Sequence, residues 1–108
     1  TAALAAGKPI LVPVGPTLAD GLAGNMDPNS RTFAVVRDHV QTVATVGEDH
    51  IAKAMAGLLT HEGLVAEGAG ATGVAGLLAG VVTAARLGVV VSGRNGVRSW
   101  IEASRSDR

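Results

Sequence analysis

The junction between residues 64–67 and 68–73 limits the fold more than any other stretch. Leu64-Val65-Ala66-Glu67 is a short apolar run closed by an acid, and it leads without a linker into Gly68-Ala69-Gly70-Ala71-Thr72-Gly73. Such a run, bounded by glycines, reads as a buried strand, and the glycines permit a sharp turn from strand to helix. A helix of small residues is predicted over 71–86, with Gly73, Gly76 and Gly80 inside it. The same alternation recurs along the chain. Apolar runs at 10–12, 42–46 and 89–91 read as strands. A helix is predicted over 31–40, capped by Ser30, with Phe33, Val36 and Val40 on one face. Another is predicted over 48–62, where Glu48 and Asp49 favour the positive helix start and Gly63 closes it. In that helix Ile51, Met55, Leu58 and Leu59 share one face, while His50, Lys53, Gly57 and His61 lie on the other. Residues 1–6 read as the tail of a helix capped by Gly7, and a short last helix is expected over 97–103. Strands alternating with helices predict an α/β fold, a mostly parallel sheet flanked by helices. Sites in such sheets lie at the C-terminal ends of strands. The turns at 67–71 and 92–95 are therefore the candidates.

Composition narrows the function classes. Hydrophobic residues make up 47% of the 108, but aromatics only 2%, so the core must be built from Ala, Val and Leu. Side chains of that size bury little area each, and a domain relying on them is a marginal folder alone. Nine basic and nine acidic residues give a formal net charge of zero. With no basic excess and few aromatics to stack on bases, nucleic-acid binding is not expected. Cysteine is absent, which excludes disulfides and thiolate metal sites. No apolar run approaches the roughly 20 residues of a membrane span, and the first residues lack the basic start of a signal peptide. The expected compartment is the cytoplasm, and a chain starting at Thr1 reads as processed or cut.

Single motifs leave alternatives open. Residues 68–73 match G-x-G-x-x-G, the pattern of a dinucleotide site. That reading wants an acid roughly 20 residues on, at the end of the next strand. The next strand ends in Ser92 instead, with Glu67 and Glu102 the nearest acids. The glycines serve equally as a tight turn with close helix packing, or as room for a flat ligand. Ser92 can bond its own turn or point a hydroxyl into a cleft. Asp20-Gly21 alone reads as an ordinary turn. His39, His50 and His61 lack metal-ligand spacing, and no metal site is expected.

Together, four segments resemble one family. Pro16-Thr17-Leu18-Ala19-Asp20-Gly21-Leu22-Ala23 resembles the TIADGLA segment of threonine/serine dehydratases and serine racemases. Residues 33–40 followed by 43–51 resemble their helix and V-x-V-(S/T)-E-x-x-I passage. Residues 64–71 resemble LVVEGAGA, and Val89-Val90-Val91-Ser92-Gly93-Arg94-Asn95 resembles VVVLSGGN. The likeness runs over residues 15–95, and four motifs in order are far more specific than one. It implies a partial tryptophan synthase β-like domain that binds pyridoxal 5'-phosphate.

The resemblance further implies which residues meet the cofactor. Ser92 would hydrogen-bond the pyridine nitrogen, with Gly93 and Asn95 in the same turn. Gly21 would lie at the cofactor's edge, Glu67 beside the ring, and Gly68 and Gly70 along the wall. Asp20 and Arg94 would stand near the entrance for an amino-acid substrate. Arg94 replaces the family's usual glycine, which bears on substrate class. Gly47 stands where Ser or Thr is usual, at little cost, since Gly caps almost as well.

No catalytic residue is expected within this chain. The family's Schiff-base lysine sits in an SFKxRG setting, whereas only Lys8 and Lys53 occur here, in other surroundings. The phosphate-binding glycine loop and the family's acidic metal-binding stretch are likewise absent. Residues 1–108 are thus expected to be the C-terminal segment of a dehydratase catalytic domain, needing the N-terminal part as partner, with no regulatory domain after Asn95. The intact protein, expected to be a homo-oligomer, would eliminate water from L-threonine or L-serine and release ammonia and a 2-oxo acid. The alternatives are racemization, β-replacement, or a non-catalytic remnant serving assembly.

Overall fold

The computed structural model describes residues 1–94. They form α1 (Ala2–Ala6), a 3₁₀ turn (Asp20–Leu22), α2 (Arg31–His39), α3 (Glu48–Glu62) and α4 (Gly68–Leu78). The core lies where α3 packs on α4. Ile51, Ala54, Met55 and Leu58 of α3 meet Ala71 and Ala75 of α4, with Ala19 and Ala66 at the margin. Ala54, Ala71 and Ala75 are fully buried. Alanines at the contact let the two helices approach closely, so a core without large aromatics still closes. Among the described residues, no helix is long and apolar enough to cross a membrane.

Three helices follow their sequence signals. In α2 the Ser30 hydroxyl accepts from the Thr32 N–H at 3.2 Å, as an N-cap does. Of its apolar face Phe33 is buried, Val36 half-buried and Val40 exposed. The bounds of α3 match the expectation, with Gly63 in the left-handed conformation that ends it. Gly7 caps α1 in the same way.

The fourth helix differs from the prediction at both ends. It begins at Gly68, three residues early, and stops at Leu78 rather than at 86. Gly80 adopts φ 68°, its N–H donates to Leu77 O at 3.0 Å, and the Val81 N–H donates to Gly76 O at 3.2 Å. This pair of bonds is a Schellman motif, and it satisfies the last carbonyls and turns the chain away. A glycine inside a run of Ala, Leu and Val looks the same in sequence whether it continues a helix or ends one.

The segments expected as strands run without helix, but no strand ladder forms among the described residues. Between the segments at 64–67 and 89–93, one backbone bond forms: Glu67 N–H donates to Gly93 O at 2.7 Å. A strand exists only through its pairing partner, and one rung does not make a ladder. Leu11 in the run at 10–12 and Val90 in the run at 89–91 are 82% and 87% exposed, the apolar surface an unpaired segment leaves open. The expected helix over 97–103 lies outside the described residues.

Candidate functional site

The first turn of α4 gathers the candidate residues. Glu67 is its N-cap residue, in extended conformation, and its N–H bonds the Gly93 carbonyl. Gly68 and Gly70 follow, and both are buried. A Cβ at position 68 would overlap the Leu18 carbonyl and stand 2.9 Å from the Ala19 nitrogen. A Cβ at position 70 would overlap the Ser92 carbonyl oxygen and stand 2.5 Å from its carbonyl carbon. The glycines thus let two backbone segments, from 18–19 and from 92, lie directly on the helix start. That is the close-packing role among those the pattern allowed.

The 3₁₀ turn adds Gly21, whose Cβ would be 3.2 Å from the Ala69 Cβ and 3.9 Å from the Glu67 Oε1. Gly93 has φ 76°, and a Cβ there would overlap the Glu67 side chain. Gly21, Glu67, Gly68, Gly70, Ser92 and Gly93 therefore lie together at one end of α4, drawn from three separate stretches of sequence. Ser92 has its backbone held against Gly70 while the residue stays exposed. Asp20 turns back on its own turn, its Oδ1 accepting the Gly21 N–H at 2.8 Å. Arg94 is exposed, and Asn95 lies outside the described residues. Lys8 and Lys53 are both exposed, the latter on the outer side of α3.

Glu48 has a role that sequence reasoning missed. It stands in the first turn of α3, as expected for helix-end electrostatics, and it also reaches across to the segment preceding Asp20. Its Oε2 accepts the Leu18 N–H at 2.7 Å, and its Oε1 accepts the Thr17 hydroxyl. Thr17 Oγ1 in turn accepts the Ala19 N–H at 3.1 Å. The Leu18 N–H and the Thr17 hydroxyl hold the Glu48 carboxyl below the usual carboxylate range. Both partners are about 30 positions away, so no local pattern signals the contact. An open groove of about 510 Å³ adjoins it, lined by Pro16, Thr17, Val46, Glu48, Ile51 and Thr72 among others.

Residues 1–93 match the family described as pyridoxal-phosphate dependent enzyme. The chain is similar to the L-threonine ammonia-lyase of Thermotoga maritima, 41% identical over 95 residues, covering 87% of this chain and 23% of that protein. It is 47% identical over 72 residues to the L-threonine ammonia-lyase of Geobacter sulfurreducens, covering 67% of this chain and 18% of that one. Among solved structures, a T.th. threonine deaminase superposes with a TM-score of 0.77 at 31% identity, covering 87% of this chain and 35% of that chain. The chain spans 18% to 29% of the length of the curated relatives it matches.

Proposed function

The chain belongs to the pyridoxal-phosphate dependent enzyme family, and on that footing we propose that the protein carrying it deaminates L-threonine or L-serine. The reaction removes the α-proton and the β-hydroxyl of the substrate and ends in a 2-oxo acid and ammonia. Residues 1–108 supply one wall of the cofactor site, as the C-terminal segment of a catalytic domain. The observation that carries this reading is the meeting of Gly21, Glu67 and the Ser92-Gly93 turn at the start of α4.

The residues present fit one side of such a cofactor. Ser92 offers an exposed hydroxyl on a backbone held in place by Gly70, as a hydrogen-bond partner for a flat heteroaromatic ring requires. Bound pyridoxal phosphate supplies an electron sink for the pair left when the α-proton departs. Ser92 would hold its pyridine nitrogen. A carboxylate there would keep that nitrogen protonated and deepen the sink, whereas a neutral hydroxyl makes a milder one, adequate when a β-hydroxyl leaves at once. Gly21 lines the cofactor's edge and Glu67 flanks the ring, with Gly93 shaping the turn between them. Gly68 and Gly70 act one step back, by letting the wall's backbone segments close on α4. Asp20 and Arg94 stand at the entrance, where Arg94 bears on which amino acid enters. Proton transfer at the α-carbon is assigned to neither Lys8 nor Lys53.

The extended segments become strands of a mostly parallel sheet when the remainder of such a domain pairs with them, which also covers Leu11 and Val90. We place the assembled enzyme in the cytoplasm. The experiment is to supply the full-length protein with pyridoxal phosphate and L-threonine and to follow 2-oxobutanoate and ammonia. Cofactor-dependent release of both is the expected result. A full-length protein that takes up no pyridoxal phosphate would overturn the reading.

A further inference from the structure

We propose that Glu48 is a positioning residue that fixes the Asp20–Leu22 turn by latching the segment before it to α3; its bearing on the cofactor rests on the function proposed above. α3 is anchored in the core by Ile51, Ala54, Met55 and Leu58, so its first residue is a firm support. A carboxylate at a helix start commonly serves the helix's own amides. This one accepts instead from the Leu18 N–H and the Thr17 hydroxyl. On the other side the Leu18 carbonyl lies against Gly68, and Ala19 is buried. Residues 17–19 are therefore gripped between α3 and α4.

The turn that follows takes its position from that grip. Leu22 N–H donates to Ala19 O at 2.8 Å and Ala23 N–H to Asp20 O at 2.9 Å, and the Asp20 carboxylate is used on Gly21. These bonds set the turn's shape. Its placement against Ala69 and Glu67 comes from packing and from what holds residues 17–19. Removing the Glu48 carboxylate releases one of the two sides.

The test compares Glu48→Ala, Glu48→Gln and Thr17→Val with the unaltered protein in two readouts. The first is amide hydrogen exchange at Leu18 and Gly21. The second is pyridoxal phosphate affinity, read from its visible absorbance. Loss of a solvent-accessible charged hydrogen bond should speed Leu18 exchange about three- to tenfold in Glu48→Ala. Exchange in the centres of α3 and α4 should not change, and the cofactor should bind several-fold more weakly. Glu48→Gln keeps a carbonyl acceptor for Leu18 and should restore most of both, and Thr17→Val should fall between. Unchanged Leu18 exchange in Glu48→Ala overturns the proposal, and so does faster exchange with unchanged cofactor affinity. If Glu48→Ala loses its helical signal, Thr17→Val carries the same two readouts. If the unaltered protein takes up no cofactor, the proposed function fails, and the exchange arm alone decides whether Glu48 holds the turn.

Discussion

Replacing Gly70 by alanine tests the packing on which the candidate site stands. The new Cβ would overlap the Ser92 carbonyl oxygen and stand 2.5 Å from the carbonyl carbon and 3.1 Å from the nitrogen. Carbon atoms settle at about 3.5–4.0 Å, so the segment around Ser92 must retreat by roughly 1 Å. A backbone cannot rotate out of the way as a side chain can, which puts the cost at the upper end of overpacking, about 3 kcal/mol. Alanine regains up to about 1 kcal/mol of helix propensity, leaving a net loss of about 2 kcal/mol. Gly57 provides the control. It lies inside α3 with nothing within 4 Å of a Cβ, so Gly57→Ala should gain about 0.5–1 kcal/mol from propensity alone. Urea denaturation followed by helical circular dichroism should therefore separate the two variants by about 3 kcal/mol, with Gly70→Ala the weaker. If Gly70→Ala proves as stable as Gly57→Ala, the Ser92 backbone does not lie on α4, and the grouping of the site residues falls with it.

Two further predictions concern the core and the latch. Ile51 is 3% exposed at the α3–α4 contact. Ile51→Ala should cost about 2–5 kcal/mol in the same denaturation assay, and a loss below about 1 kcal/mol would contradict that core. The Glu48 carboxyl is held below its ordinary range chiefly by the Leu18 N–H and then by the Thr17 hydroxyl. Because the folded value is the lower one, its stabilisation is present in full above the ordinary carboxylate range and is lost as pH falls through the lowered value. An NMR titration of the Glu48 side-chain carboxyl should give a lower midpoint in the folded chain than in the urea-unfolded chain, and equal midpoints would contradict the contact.

How much is legible in the sequence depends on how local each cause is. Ser30 and Gly63 mark helix ends through bonds and dihedral angles within a few residues, so α2 and α3 can be placed from the sequence. Gly80 misleads because its left-handed conformation depends on the two bonds that close α4, not on its neighbours' identities. Strand pairing is non-local by nature, and the apolar runs at 10–12 and 89–91 carry no information about what lies beside them. Motif resemblance draws attention to Gly68 and Gly70, but the reason those positions hold glycine comes only from the backbone atoms of Leu18 and Ser92 facing them. Glu48 is invisible as a contact for the same reason, since Thr17 and Leu18 reach it through the fold.

The most direct measurement is the nitrogen-15 chemical shift of labelled pyridoxal phosphate bound to the full-length protein, with and without the Ser92 hydroxyl. The expected result is an unprotonated, hydrogen-bonded pyridine nitrogen whose signal moves on Ser92→Ala. A protonated nitrogen, or a signal that Ser92→Ala leaves where it was, would contradict it.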